Sequence, residues 1–574
     1  MKKRILALGV AMTMVLGLVA CGGGSKEAAS TSGDAAATEA AEGAEGAEDA
    51  GEAEASGIAS EFTVQIGPNP ETLDPALNSA IDGANLLVTL SETLLIIDEN
   101  LEVQPGQAES YTVSDDGLVW TFTMRDGLKW SDGTDLTAKD FEYSFKRVCD
   151  PAVAAPYAET VLGMVVGYEE AIAGDLDALQ VVASEDGKTL TITLSYPCSF
   201  FDKLAAFATL SPVQQATVEA NGDAWATAPE SYICNGPYMI SEWTPGQEIV
   251  TVKNPYYAGG WDSSRIVTDK ITFLLLEDSS AAHAAYNSGE AVMIKDVPTE
   301  EIPSLTKAED GGDFYVDPIL GTYYLNMNCQ KEPFNNPLVR KALNLAIDRD
   351  YIANVIMQGT YSPAFNFVGD GVTDASGMFM ENSIAAYGTT YISEDYEANC
   401  KAAQEALAEA GYPNGEGFPV ITYSTNESGY HIPVAEYLQS VYKEVLGITM
   451  NVDKVEWSSF TPQRRAGDYE MARNGWVMDY NDASNIIELL YSSNGNNDGK
   501  YSNPEFDAAI DASKVADQNE HYAALHDAEK IMMEDYACIP VAYYCDFWLQ
   551  SPALQGTWHS PYGYWFFQYG YVEE

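Results

Sequence analysis

Phe418-Pro419-Val420-Ile421-Thr422-Tyr423-Ser424 reads as a strand, Ile432 to Leu446 as a helix stopped by Gly447, and Ile448 to Val455 as a second strand. A strand, a helix and a strand in that order make a β-α-β unit, which requires a parallel pair and a right-handed crossover. In open α/β sheets of this kind, ligands settle beyond the carboxyl ends of the strands. Leu118 to Phe122, with Met124 following, reads as another strand; Asp115-Asp116-Gly117 precedes it and Asp126-Gly127 and Asp132-Gly133 follow as turns. Thr137 to Val148 places Phe141, Phe145 and Val148 on one helical face. Asn336-Pro337 supplies an N-cap and a first-turn proline to a helix running through Leu338, Ala342, Leu345 and Ala346. No fixed-period repeat is present, which argues against a solenoid or propeller.

The ends of the chain speak to location. Met1-Lys2-Lys3-Arg4 is basic, and Ile5 to Ala20 is uncharged and mostly apolar, the layout of a secretory signal and short for a membrane span. Gly22 to Gly57 is almost wholly Gly, Ala, Ser, Thr and Glu without an aromatic residue. Such a composition cannot bury enough apolar surface to offset its ordering entropy, so a flexible acidic linker is expected. From Ile58 the chain is rich in Tyr and Trp and long enough for two or three packed domains. Lys and Arg number 29 against 86 Asp and Glu, a formal charge of −57. That balance disfavours nucleic acid, whose phosphates need cations, and suits a solvated acidic surface.

Chemistry-bearing motifs are sparse. There is no His-Glu-x-x-His, no Gly-x-Ser-x-Gly and no Gly-x-x-x-x-Gly-Lys, so the common hydrolase and nucleotide signatures are missing and no catalytic residue is nominated. His521 and His526 are five apart, wrong for a shared helical metal face, and are expected to be exposed. Besides Cys21, the cysteines 149, 198, 234, 329, 400, 538 and 545 are scattered without a Cys-x-x-Cys pair, so neither a metal cluster nor a dithiol is indicated. No metal or cofactor is expected.

The most informative segment is Arg473-Asn474-Gly475-Trp476-Val477-Met478-Asp479-Tyr480. If extended, it puts Arg473, Gly475, Val477 and Asp479 on one face, with the charged ends at most about 20 Å apart. An extended tetra- or pentapeptide spans slightly less and needs opposite partners at its two ends. Gly475 between them lets a ligand backbone approach and pair with the strand. Pairing of the nearby arginines with Asp468 or Glu470 stays open at this level, as does a turn role for Asp479.

Several stretches together resemble a known family. They are Leu18-Val19-Ala20-Cys21 and Asp126-Gly127-Leu128-Lys129-Trp130-Ser131-Asp132-Gly133-Thr134 with Ala138-Lys139-Asp140-Phe141 and Asp150-Pro151. Further on come Asn235-Gly236-Pro237-Tyr238, Thr322-Tyr323-Tyr324, Pro333-Phe334-Asn335, and Val339-Arg340-Lys341-Ala342-Leu343 with Asp348-Arg349-Asp350. The first is similar to a bacterial lipobox, and the rest resemble the family 5 solute-binding proteins, the oligopeptide- and dipeptide-binding lipoproteins of ABC importers. The likeness runs from about Phe62 to the C-terminus. It implies an α/β, type II periplasmic-binding-protein-like clam of two lobes with an additional inserted domain. The expected division is a signal peptide at 1–20, a lipidated Cys21 and linker at 21–57, and first-lobe pieces at 58–91, 216–320 and 548–574. The extra domain falls at 92–215 and the second lobe at 321–547.

The resemblance also implies a monomer on the outer face of the cell membrane, a short peptide as ligand and permease subunits as partners. By position, Asp479 matches the aspartate that holds the ligand's α-amino group, and Arg473, Arg464 and His431 match groups that receive carboxylates. Trp457, Tyr157 and Tyr286 match aromatics lining side-chain pockets. His431 is as readily a helix-terminal cap. Met357 stands where some members carry a lysine for the carboxylate, and Gly321 and Val477 stand where some carry a disulfide. Relatives of the family capture nickel complexes, haem or oligosaccharides, so a non-peptide solute and a sensing role are the alternatives; a peptidase is not expected.

Overall fold

The computed structural model describes residues 57–573, apart from Glu71, 306–311 and 427–428, and Trp457 and Ser458 by backbone alone. The signal segment, Cys21 and the linker to Ser56 lie outside the described residues.

The β-α-β unit is present. Ile421–Thr425 and Met450–Lys454 pair in parallel, Ile421 opposite Met450, joined by the helix His431–Leu446. The first strand begins three residues later than its apolar run, because Pro419 has no N–H for a ladder. Gly447 ends the helix in the left-handed conformation at φ 71°, its N–H donating to Lys443 O. The other local signals also hold. Thr137 and Asp140 form a reciprocal capping box for Ala138–Val148, and Phe141, Phe145 and Val148 are buried. Asn336 accepts from Leu338 N in front of Pro337–Leu345. Val119–Met124 is the middle of a small antiparallel sheet with Ala108–Val113 and Thr189–Thr193.

Two long strands organise everything else. Phe314–Met327 and Cys538–Gln550 run antiparallel, and their register shifts between Pro318 and Thr322. On one side of the shift, Cys538–Gln550 pairs with Met293–Ile294, which leads to Glu61–Gln65 and Lys270–Leu274. On the other side, Gly321 to Met327 pairs with Met471–Val477, which leads to the β-α-β unit. Three hydrophobic cores follow this division. One gathers Leu325, Leu343, Leu438 and Ile539; one gathers Val64, Phe273, Trp548 and Phe567; the third gathers Phe122, Phe141, Leu190 and Phe201 around the small sheet. The chain is thus a pair of α/β lobes crossed by two shared strands, with a further α/β body inserted in the first.

Two expectations are corrected. His521 is not exposed but 4% accessible, its Nε2 3.2 Å from both carboxylate oxygens of Asp482 and its Nδ1 2.6 Å from Ser513 O. His526 is also sheltered, 3.2 Å from Asp374 and stacked on Phe379. Their acidic partners are 39 and 152 positions away, beyond the reach of any local pattern. The seven described cysteines are free thiols.

A Cβ on Gly447 would lie 2.3 Å from Asn414 O in a backbone region that L-residues avoid. Gly447→Ala is expected to lower the unfolding free energy by about 2 kcal/mol in urea titration; an unchanged midpoint would contradict the close approach.

Candidate functional site

Met471–Val477 is a strand with one complete edge and one open edge. Its pairing with Phe314–Met327 sets Gly321 opposite Val477, Tyr323 opposite Gly475 and Leu325 opposite Arg473. The next residue, Met478, donates its N–H to Leu320 O, which fixes the phase of the ladder. Ala472, Asn474 and Trp476 therefore direct their backbone groups to that partner, whereas Arg473, Gly475 and Val477 direct theirs to the opposite edge. On that edge the neighbouring strand Ile421–Thr425 reaches only Met471 and Ala472. Arg464 reaches Arg473 O at 3.4 Å, and Gly475 N donates to the side chain of Asn474. Among the described residues no strand covers Gly475 to Val477 from that side.

Asp479 stands two residues past the strand end, in a bend rather than in the extended run. Its Oδ1 accepts from Tyr157 Oη at 2.9 Å, its Oδ2 from Asn485 Nδ2 at 3.2 Å, and its own N–H donates to Asn485 Oδ1 at 3.0 Å. Trp476 Nε1 donates to the same Asn485 oxygen at 2.9 Å, so one amide orients both strand and carboxylate. Among the described residues no Lys or Arg is in salt-bridge range. Burial penalises the charged form and pushes the Asp479 carboxyl up to about 6, against the two hydrogen bonds that hold it down.

Arg473 lies at the other end of the strand. Its Nη2 donates to Tyr544 Oη at 3.1 Å and its guanidinium is 5.4 Å from the Tyr323 ring centre. Tyr361 and Tyr423 also stand close. His431, the first residue of its helix, packs its ring 5.5 Å from Tyr323. Burial first, and the Arg473 charge second, drive its pKa down to about 2, so it is a neutral hydrogen-bonding group and not a cation. Gly475 has a second reason to be glycine: a Cβ there would meet Tyr544 Oη at 2.0 Å.

Several expected positions have their side chains engaged elsewhere or lie away from this strand. Arg464 is committed to Asp498, Nε to Oδ2 2.7 Å, in a pair whose side chains are 10% and 5% accessible. The pair, and not Asp468 or Glu470, uses its charge, which argues against a role in receiving a carboxylate. Asn474 Nδ2 is 3.4 Å from the same Asp498 oxygen, so this pair holds the back of the strand. Tyr286 lies elsewhere: its hydroxyl donates to Asp313 at 2.7 Å within a separate cluster of Leu274, Ala282 and Ile294. Its helix, Ser279–Ser288, packs on the first lobe and turns the ring to that core. Trp457 starts the helix Trp457–Ala466, and its side chain lies outside the described residues. Tyr157 is brought in directly. Sequence reasoning missed Asn485, Tyr323 and Tyr544, because a neutral amide or phenol far away in the chain carries no pattern of its own.

A cavity of about 470 Å³ lies against Trp476 and Asn485, between segments of the inserted body and of the second lobe. Among the described residues no group of three or more His, Cys, Asp or Glu is arranged to hold a metal, and no helix is long and apolar enough to cross a membrane.

Two lobes hinged by crossing strands, with an open strand edge and buried polar groups in the cleft, define a protein that closes on a solute, of the type II periplasmic binding class. Residues 102–498 match the model of the bacterial extracellular solute-binding proteins, family 5 Middle, and the chain belongs to that family. It is 34% identical over 494 residues to the periplasmic oligopeptide-binding protein OppA of Salmonella typhimurium, covering 85% of this chain and 88% of that one. Haemophilus influenzae OppA in complex with RPPGFSPFR superposes with a TM-score of 0.77 at 31% identity, over 90% of this chain and 99% of that one. The Escherichia coli murein tripeptide binding protein MppA does so with a TM-score of 0.78 at 31% identity, over the same shares.

Removing one member of the Arg464–Asp498 pair leaves a buried charge behind. Asp498→Ala is expected to lower the unfolding free energy by about 3–5 kcal/mol, read by denaturant titration; a loss under about 1 kcal/mol would mean that the pair is solvated.

Proposed function

We propose that this protein captures short peptides in an extended conformation between its lobes and hands them unchanged to an ABC permease. The observation that carries the reading is the open edge of Gly475 to Val477, set between the guanidinium of Arg473 and the half-buried carboxylate of Asp479. A peptide has backbone groups to pair with such an edge. Its α-ammonium suits a carboxylate whose charge burial destabilises, and its α-carboxylate suits Arg473, with the neutral His431 and the tyrosine hydroxyls as hydrogen-bonding partners. The relatives described as oligopeptide- and murein-tripeptide-binding point the same way.

The register shift between Pro318 and Thr322 is assigned as the place where the lobes rock. The lobe pieces are assigned to 58–91, 216–320 and 548–574, the inserted domain to 92–215 and the second lobe to 321–547. Gly321 and Val477, opposite each other in the ladder, leave the site without a disulfide clamp. Cys21 is assigned as the lipid anchor and the acidic segment after it as the tether, placing a monomeric receptor on the outer face of the membrane within reach of its permease. No role in catalysis is assigned to any residue.

Mass spectrometry of the small molecules released when the purified protein is denatured is expected to find short peptides. Sugars, haem or metal complexes in their place would overturn the cargo. Asp479→Asn is expected to weaken a free-amine tetrapeptide by roughly 10- to 100-fold, the worth of a charge-assisted hydrogen bond. Its N-acetylated counterpart should change by less than about 3-fold; equal losses would remove Asp479 from its role.

A further inference from the structure

The cavity of about 470 Å³ beside Asp479 is too large to be packing error and is lined by a group the peptide backbone does not need. It touches Trp476, on the face of the strand opposite to Arg473 and Gly475, and Asn485, which orients Asp479. A peptide paired along the open edge sends alternate side chains to the two faces of the sheet, so one at its amine end would enter this cavity.

Glu488 lines the cavity, half-buried, three residues beyond Asn485. Among the described residues its carboxylate has neither a hydrogen bond nor an ion pair. Burial pushes it up to about 7; Asp482 and Glu159 add to the rise, and Lys514 and His521 oppose it. Lys514 and His521 line the cavity too, as does the exposed Arg465; Lys514, His521 and Asp482 are engaged elsewhere. Lys514 Nζ is 3.1 Å from Asp511 and 5.0 Å over the Tyr491 ring, and Asp482 is bound by His521, Tyr522 and Ser484 N. Glu159 lines the cavity on the facing wall and adds a second negative charge. Phe200 and Tyr480, stacked at 4.7 Å, give an apolar wall on which a methylene chain can lie.

Resting on the peptide reading above, we infer that this cavity receives the first side chain of the ligand and that Glu488 selects a cationic one, lysine or arginine. Asp479 and Glu488 then form a pair of carboxylates on either side of Asn485. One takes the α-ammonium, the other the side-chain cation, and an uncharged first residue satisfies only the former.

The test compares Lys-Ala-Ala-Ala with norleucine-Ala-Ala-Ala, which has a similar apolar stem and no charge, by calorimetry on the full chain. The wild type is expected to prefer the lysine peptide by about tenfold or more. Glu488→Gln should bring the ratio to about one, and Glu488→Lys should invert it, a reversal that loss of folding cannot mimic. A wild-type ratio near one, or a preference that survives Glu488→Gln, overturns the assignment while the norleucine peptide's binding leaves the peptide reading standing. If neither peptide binds the wild type, the peptide reading falls and the subsite with it.

Discussion

A carboxylate moved out of water loses far more solvation than neutral donors return, and Asp479 is held in that condition by the groups that surround it. Tyr157 and Asn485 fix its geometry, yet its charged form is still disfavoured, as its position near 6 records. The arrangement disfavours the charge, and under the proposed function the ligand's ammonium group would relieve it. Tyr157 packs against the core of the small sheet and Asn485 follows the strand Met471–Val477, so the environment of Asp479 is built from both. Under the proposed function, a solute bearing an ammonium group would favour closure, because it would gain this carboxylate only where both parts surround it.

The other end of the strand works by a different balance. Arg473 is enclosed by rings and hydroxyls, and the same charge keeps the adjacent His431 neutral. Tyr544 reaches over Gly475 to Arg473, which ties the glycine to the position of the arginine as well as to ligand approach. Behind the strand, the Arg464–Asp498 pair and Asn474 hold it flat. Under the proposed function, opposite charges at the ends and bare backbone between them are what would recognise the features all short peptides share, with selectivity left to the cavities.

Much of this was legible in the sequence where the signal is local. The β-α-β unit, the Asn336-Pro337 helix start, the Thr137 cap and the Gly447 stop are each written within a few residues, and the structure keeps all of them. The strand at Arg473 was legible for the same reason, although Asp479 falls past its end, in a bend, instead of on the shared face. What was not legible is long-range pairing. Nothing near Arg464 announces Asp498, and nothing near His521 announces Asp482. Tyr157 and Tyr286 are both tyrosines matched by position, yet one meets Asp479 and the other Asp313, because helix packing decides which way a ring turns. Asn485, the amide on which both Trp476 and Asp479 depend, is chemically silent in a sequence.

The direct measure of the account is the affinity of a free-amine tetrapeptide as a function of pH. Burial raises the Asp479 carboxyl in the empty site, and a bound ammonium must lower it, so affinity is fully present only from about one unit above pH 6 and is lost as the pH falls through about 6. Near about pH 7 the ligand's amine is mostly protonated and Asp479 mostly ionised, so affinity is at its maximum there. Below about pH 6 the dissociation constant is predicted to rise by about tenfold per pH unit, in wild type and not in Asp479→Asn. A profile that is level down to about pH 4.5, or one that Asp479→Asn leaves unaltered, would contradict the placement of the ligand's amine at Asp479.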